Sequence, residues 1–427
     1  MLPARQWTLR NGLPVIAIGN TEAPLLRVEL IWNAGTPFQP KRTLASITNE
    51  LMTEGTKKRS ASALETFFEQ YGTTLVSPDV MDTNNLALAT IHRHAPMVLP
   101  MMAEVMLEPA FSEASFQRIL RRRRQRLREN LSDNDTLAYR LITESVFGSQ
   151  HPYGYNSFLA DYEELNQEDI INFHRSHYHA GNGTLLVIGQ INDRIERLLE
   201  ETFGQLPGGP AAEPFIMPDL PTPPKIRQLF RPRAQQTMIR QGRAGIHIGH
   251  PDYPGLVVLE TVYGGYFGSR LMRNIREEKG YTYGIESDLD TYRFDGSFGV
   301  SADVANENLA NVRKEIQLEA EKLLQTPVPT SELDMVRAYL GGSIAMELDG
   351  VFGHSYRYRS AIIKKYDPIQ LLQRLNDAIN YISPQELQDL AQRYLSPEAD
   401  WEVIVGGGER VEGAEMIKRV DQPLSSE

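Results

Sequence analysis

Seven prolines fall between Leu206 and Pro224, in the run Leu206-Pro-Gly-Gly-Pro-Ala-Ala-Glu-Pro214 and then at Pro218, Pro221, Pro223 and Pro224. Proline lacks the amide proton that a helix or sheet ladder needs, and its ring fixes φ. The segment therefore reads as an exposed linker, residues 207–225. It divides the chain into residues 1–206 and 226–427, two stretches of near-equal length. The full 427 residues exceed what one core supports, and two to four compact units are expected.

Equal halves raise the question of duplication, and three spacings answer it. Ser112-Glu-Ala-Ser-Phe-Gln-Arg118 aligns without gaps on Ser331-Glu-Leu-Asp-Met-Val-Arg337. Ile171–Tyr178 followed by Thr184–Gly189 resembles Leu387–Tyr394 followed by Trp401–Gly406. The separations are 219 residues from Ser112 to Ser331, 216 from Tyr178 to Tyr394 and 217 from Gly189 to Gly406. Near-constant separations over this length are the mark of a repeat. Both serines read as helix N-caps, with Asp334 in capping-box position.

Each half follows the same plan. Paired strands open it (15–18 and 26–32; 237–250), helices follow, then a further strand region (85–92; 285–300), long helices and a closing strand. Alternation at Leu86, Leu88 and Thr90, and at Phe298, Val300 and Ala302, has the period of a half-buried strand. Strands clustered apart from helices imply an α+β fold, two homologous halves each with an antiparallel-rich sheet covered by helices. The most apolar window, 96–107, carries Glu104 and reads as a buried helix. No run of about 18 apolar residues is present, so no membrane span is expected.

Composition removes several chemistries. There is no cysteine, hence no thiolate metal site, disulfide or thiol nucleophile. The formal charge of −11 disfavours a nucleic-acid partner. Met1 leads almost at once into the first strand, so no signal peptide is expected. Taken so, the chain is cytoplasmic; were Met1 to stand for a removed export signal, it would be periplasmic. No G-x-S-x-G elbow or phosphate loop occurs, and Gly264-Gly-Tyr-Phe-Gly268 reads as a turn after a helix. His92 and His94 read as neighbours on one strand face. His174, His177 and His179 lie at a helix end, where cations suit the dipole. Neither group carries a carboxylate at a metal-binding spacing. Arg118, Arg121 to Arg124, Arg126 and Arg128 crowd one helix, which implies solvation or pairing with acidic neighbours.

Two segments carry a family resemblance. Thr43-Leu-Ala-Ser-Ile-Thr-Asn-Glu-Leu-Met-Thr-Glu-Gly-Thr56, followed by Leu64–Gly72, resembles the pitrilysin/insulinase (inverzincin) peptidases, in which a helix bearing H-x-x-E-H ends in a Gly-Thr turn. Anchored on Gly55-Thr56, the motif's His, Glu and His fall on Ser46, Asn49 and Glu50. A hydroxyl and a carboxylate replace the two imidazoles that zinc takes at about 2.0–2.1 Å. An amide replaces the base that would take the water's proton. The family's third ligand aligns near Arg126, with Glu129 the nearest acid. The second segment, Phe267–Tyr283, resembles the second-half signature, where an Arg and a Tyr seven residues on reach the active site. Arg276 and Tyr283 hold that spacing. Without the resemblance, Arg276 reads as a surface ion-pair residue and Tyr283 as a core strand residue.

The resemblance spans nearly the whole chain, including His151-Pro-Tyr-Gly154. It implies two related halves forming a clamshell. It also implies a role like that of the non-catalytic subunit in a bacterial enzyme of the mitochondrial-processing-peptidase type. Such a chain has no cofactor of its own; zinc is expected in a homologous, H-x-x-E-H-bearing partner subunit, and oligopeptides or unfolded segments are the substrate. Arg276 and Tyr283 would contact the substrate carbonyl. The alternative is a structural scaffold of the same fold, like the core subunits of the respiratory complex that share it. A self-sufficient peptidase would need a different metal site.

Overall fold

The computed structural model describes residues 2–19, 24–78, 80–214, 217–222, 225–418 and 420–421. Met1, Pro223 and Pro224, used above, lie outside the described residues.

The first half holds five strands: β1 (Arg5–Thr8), β2 (Pro14–Gly19), β3 (Leu25–Trp32), β4 (Asn84–Ile91) and β5 (Gly183–Gly189). They form one sheet in the order β1-β2-β5-β3-β4, with β2 and β5 parallel and the remaining pairs antiparallel. Its helices are α1 (Leu44–Met52), α2 (Ala61–Gln70), α3 (Ala95–Leu107), α4 (Glu113–Asn130), α5 (Asn134–Phe147), α6 (Gln167–His177) and α7 (Asp193–Phe203). Polar caps set their starts: Ser60 accepts from the Ala63 amide, Asp133 from Thr136, and Asn166 closes a capping box with Asp169. The apolar window read as a buried helix is α3.

The second half holds β6 (Ile226–Phe230), β7 (Gln236–Ala244), β8 (Thr282–Thr291), β9 (Gly296–Ala305), β10 (Trp401–Gly406) and β11 (Glu415–Met416). Their order is β11-β6-β10-β7-β9-β8. The strand expected to run to residue 250 stops at Ala244, and the region 285–300 is two strands, not one. Its helices are α8 (Tyr253–Tyr263), α9 (Leu309–Gln325), α10 (Thr330–Glu347), α11 (Gly350–Lys364), α12 (Pro368–Tyr381) and α13 (Pro384–Tyr394).

The connectivity repeats. In each sheet the opening strand runs parallel to the closing one (β2 with β5, β6 with β10), and the closing strand pairs antiparallel with the next (β3, β7). Gly189 and Gly406, 217 residues apart, end the two closing strands. The sheet edges depart from symmetry. Where the second half has all of β8 along β9, the described residues of the first half have a single bridge, Val76 with Ala87 on β4.

The repeated serines also differ. Ser112 caps α4, its hydroxyl accepting from the Ser115 amide at 3.2 Å. Ser331 does not cap α10. That helix starts one residue earlier, with the Pro329 carbonyl accepting from Glu332 and Leu333, and Asp334 pairs with Arg337. Pro329 fixes its own φ, so the helix can start directly after it.

The chain packs as two compact units, and they depart from the linear halves at two helices. One unit comprises Met1–Arg126, Ser157–Ile216 and Glu347–Lys365; the other comprises Leu127–Asn156, Met217–Met346 and Tyr366–Glu427. Helix α5, from the first half, belongs to the second sheet. Leu137, Leu141 and Ile142 pack with Trp401, Val403 and Val405, the alternate residues on one face of β10. Helix α11, from the second half, covers the first sheet, with Tyr358, Ile362 and Ile363 against Ile18, Leu186 and Ile188. Its seat also contains a buried charge. Glu29 on β3 accepts from Arg359 of α11 at 2.6 Å, Asn85 at 2.6 Å and Arg27 at 3.1 Å. The other face of the second sheet carries the larger core, in which Leu259 and Val262 of α8 and Val312 of α9 meet Ile285, Val300 and Val304.

Candidate functional site

Helix α1 carries Ser46, Asn49 and Glu50, and each is engaged within its own unit. The Ser46 hydroxyl donates back to the Thr43 carbonyl at 3.1 Å. Asn49 is buried; its amide donates to the Pro78 carbonyl at 3.3 Å, and its Oδ1 has no partner among the described residues. Both carboxylate oxygens of Glu50 are taken by the arginine-rich helix α4, Oε1 by Arg122 and Oε2 by the Nε of Arg123 at 2.6 Å. Arg118 pairs with Glu54 and Arg124 with Glu163. The crowded arginines thus partly neutralise the acids around α1. Arg126, where alignment put the third metal position, lies exposed one turn beyond Arg122.

Arg276 and Tyr283 occupy a different setting, in the second unit. Residues Met272–Glu278 form a π-helical stretch, with Lys279 donating to the Asn274 carbonyl; such widened turns recur at functional sites. Gly280 ends it at φ +65°, a conformation glycine adopts without a Cβ penalty, and β8 begins two residues later. The half-buried Arg276 guanidinium lies over the Phe267 ring at 4.7 Å. It has no carboxylate partner among the described residues, so the surface ion-pair role does not apply. Tyr283 is 88% exposed, so it is no core residue.

Phe267 and Gly284 line one cleft of about 770 Å³ in the second unit. Its wall includes Asp135, Glu260, Glu286, Asp288, Asp290 and Asp303, with Arg240, paired to Asp135, as the sole cation of the lining. Burial pushes the Glu260 carboxyl up to about 8, although Ser287 donates to it at 3.1 Å. Burial and the neighbouring charges of Glu286 and Asp290 push Asp288 up to about 6. The turn after α8 is shaped around Glu260: a Cβ on Gly265 would stand 2.4 Å from both its carboxylate oxygens.

Two family models match the chain. Residues 15–151 match Insulinase (Peptidase family M16), and residues 164–340 match the Peptidase M16 inactive domain. The chain belongs to the M16 peptidase family. Among curated relatives, an uncharacterized zinc protease of Bacillus subtilis is 20% identical over 81% of this chain and 84% of its own length. A probable mitochondrial-processing peptidase subunit beta of Schizosaccharomyces pombe is 22% identical over 80% of this chain and 78% of its own. The fold matches a solved M16 inactive domain from Pseudomonas fluorescens at TM-score 0.87 and 22% identity, covering 95% of this chain and 98% of that one. This protein has the M16-type fold, α+β with two helix-covered sheets.

For an M16 chain the decisive test is whether α1 and α4 offer zinc a seat, and they do not fit it. A dication would meet a hydroxyl, an amide and a carboxylate already neutralised by two guanidinium groups, whose charges oppose its entry. The histidines lie elsewhere. His92 and His94 sit in a short 3₁₀ turn after β4, not on a strand face, and His94 contacts the Tyr71 carbonyl. His174 is half-buried against Phe111 and Tyr178, and desolvation there lowers it to about 4. It is neutral at pH 7 and adds no charge to the helix end. The acidic cleft was not singled out in the sequence; its acids alternate along 286–290 like the solvent side of any strand.

Proposed function

We propose that this chain is the zinc-free subunit of a heterodimeric M16 metallopeptidase, holding peptide and donating Arg276 and Tyr283 to the active site of an H-x-x-E-H-bearing partner. One observation carries the reading. Arg276 and Tyr283 are strong donors with no hydrogen-bond partner among the described residues, each beside a residue, Phe267 or Gly284, that lines the cleft. A scaffold gains nothing from leaving a guanidinium half-buried and unpaired, or a tyrosine standing in water.

The chemistry suits them. The partner's metal would supply Lewis acidity and the activated water. Arg276 presents a planar fork of N–H groups and Tyr283 an O–H, both donors without a competing base. Directed at the scissile carbonyl, they stabilise the oxygen as it gains negative charge. Loss of one such donor lowers turnover by about 10²–10³-fold. With the reconstituted pair, Arg276→Ala and Tyr283→Phe are each expected to show that loss. Zinc, measured after dialysis, stays with the partner, and subunit association is unchanged. Unaltered turnover in both variants at saturating substrate leaves the scaffold role; zinc held stoichiometrically by this chain alone removes the proposal.

A further inference from the structure

The duplication gives each sheet position a counterpart in the other half. Glu402 stands four residues before the closing Gly406, as Leu185 stands four before Gly189. In the first half the row through Leu185 runs Val15, Leu185, Leu30 and Leu86 across β2, β5, β3 and β4. In the second half it runs Ile226, Glu402, Gln241 and Val300 across β6, β10, β7 and β9. Two residues beyond Leu30 and Gln241 come Trp32 and Arg243. A short 3₁₀ turn precedes both α3 and α9, and the fifth residues of those helices are Leu99 and Arg313.

The four apolar members, Leu30, Trp32, Leu99 and Leu185, are wholly buried. Their polar counterparts, Gln241, Arg243, Arg313 and Glu402, line a cleft of about 480 Å³ in the second unit, a volume that suits a small ligand. A buried ion pair is often no better for stability than apolar side chains of its volume. The first half shows that apolar side chains fit this place in the fold. Stability therefore does not explain the exchange, whereas an occupant does.

The chemistry of the cleft selects that occupant. The rings of Tyr263 and Phe298 stack at 6.3 Å, and Ile316 and Leu395 join them in the lining, all four buried. Arg313 holds the Glu402 carboxylate through two bonds of 2.8 and 2.6 Å, and Gln241 donates to it at 3.0 Å. Arg243 donates to Asp400 at 2.6 Å through its Nε, its one hydrogen bond among the described residues. Burial holds the Asp400 carboxyl above its ordinary range despite that guanidinium, so the wall is poorly hydrated. Lys225, Lys314 and Glu398 complete the charged lining, exposed and without a side-chain partner among the described residues. Two positive charges there face one negative.

We propose that this cleft binds a small aromatic carboxylate, its ring on Tyr263 and Phe298 and its charge towards Lys225, Lys314 and the free N–H groups of Arg243. Arginine and lysine offer donors and no competing acceptor. Neither Arg276 nor Tyr283 lines the cleft, and its occupation needs no partner subunit.

The full chain alone is titrated with 2-naphthoate by isothermal titration calorimetry. Three analogues are run beside it: 2-naphthamide keeps the ring without the charge, 2-naphthylmethylammonium reverses the charge, and acetate keeps the charge without the ring. Naphthoate is expected to bind saturably at one site, about tenfold or more tighter than any of the three. Lys225→Gln/Lys314→Gln is expected to weaken it about tenfold, two partly exposed charge contacts acting together, with the melting temperature retained. Gln241→Leu/Arg313→Leu/Glu402→Leu, which writes the first half's leucines into the second, is expected to abolish binding and to melt no lower than the parent. Absence of saturable naphthoate binding overturns the proposal, as does equal affinity for any of the analogues. Undiminished binding by the lysine variant, or by the leucine variant when folded, overturns it too. If the leucine variant does not fold, the lysine variant and the analogues decide.

Discussion

Glu260 shows how far a single side chain is bent by its place. Burial lifts its carboxyl from 4.5 to about 8, so the folded protein keeps a proton that the unfolded chain releases above 4.5. Below that value both states are protonated and the group adds no pH dependence. As pH rises from about 5 to 8, the folded state holds more protons and stability falls. Glu260→Gln removes the titration, and its melting temperature is expected to vary less across this window than the parent's. The gap at pH 8 is on the order of 2 kcal/mol once partial exposure is allowed for. Parallel slopes for the two proteins in thermal melts between pH 5 and 8 would contradict the assignment. At this scale the sequence was informative wherever a motif fixed the register. The spacing to Gly55-Thr56 put Ser46, Asn49 and Glu50 on one helix, and the arginine run read as pairing with acidic neighbours. That Arg122 and Arg123 are the two that hold Glu50 was not readable, because the partner lies across a loop.

Elements bring a different lesson, because a helix's apolar stripe states that it is covered and not by what. Helices α5 and α11 carry ordinary stripes, and nothing in them names the sheet each one reaches. The polar seat under α11 is more specific. Glu29 is wholly buried and shared by Arg359, Arg27 and Asn85. Removing one partner of such a cluster strands the others. Glu29→Leu is expected to cost about 2–4 kcal/mol in urea unfolding, less than a fully buried pair because the arginines are partly wet. Adding Arg359→Met should restore much of the loss, and the double-mutant cycle measures the coupling. Additive losses would show that the pair does not seat α11. Strand existence was legible from alternation in 86–90 and 298–302, but the position of β8 at an edge was not. Edge or centre is decided by pairing across the sheet, which no local pattern contains.

At the scale of the whole chain, the duplication was written in the spacing of Tyr178, Gly189 and their counterparts, because both sheets close with the same strand. The linker marks the change of half, yet it is not a seam along which the fold comes apart. Each sheet has one face covered by a helix encoded in the other half. Produced separately, residues 1–216 and 217–427 should each lack cooperative unfolding, having lost α11 or α5 from a hydrophobic face. Mixed during refolding, they should recover near-ultraviolet circular dichroism and a single transition. A sharp melt close to the parent's from either piece alone would count against this. The exchange also says something about descent. A free-standing half with this connectivity would have a helix to give and a bare face to fill, and a second identical chain would satisfy both needs. Tandem fusion of two such genes turns a trade between strangers into one within a single molecule. From then on the two copies can diverge in chemistry while each remains hostage to the other's folding.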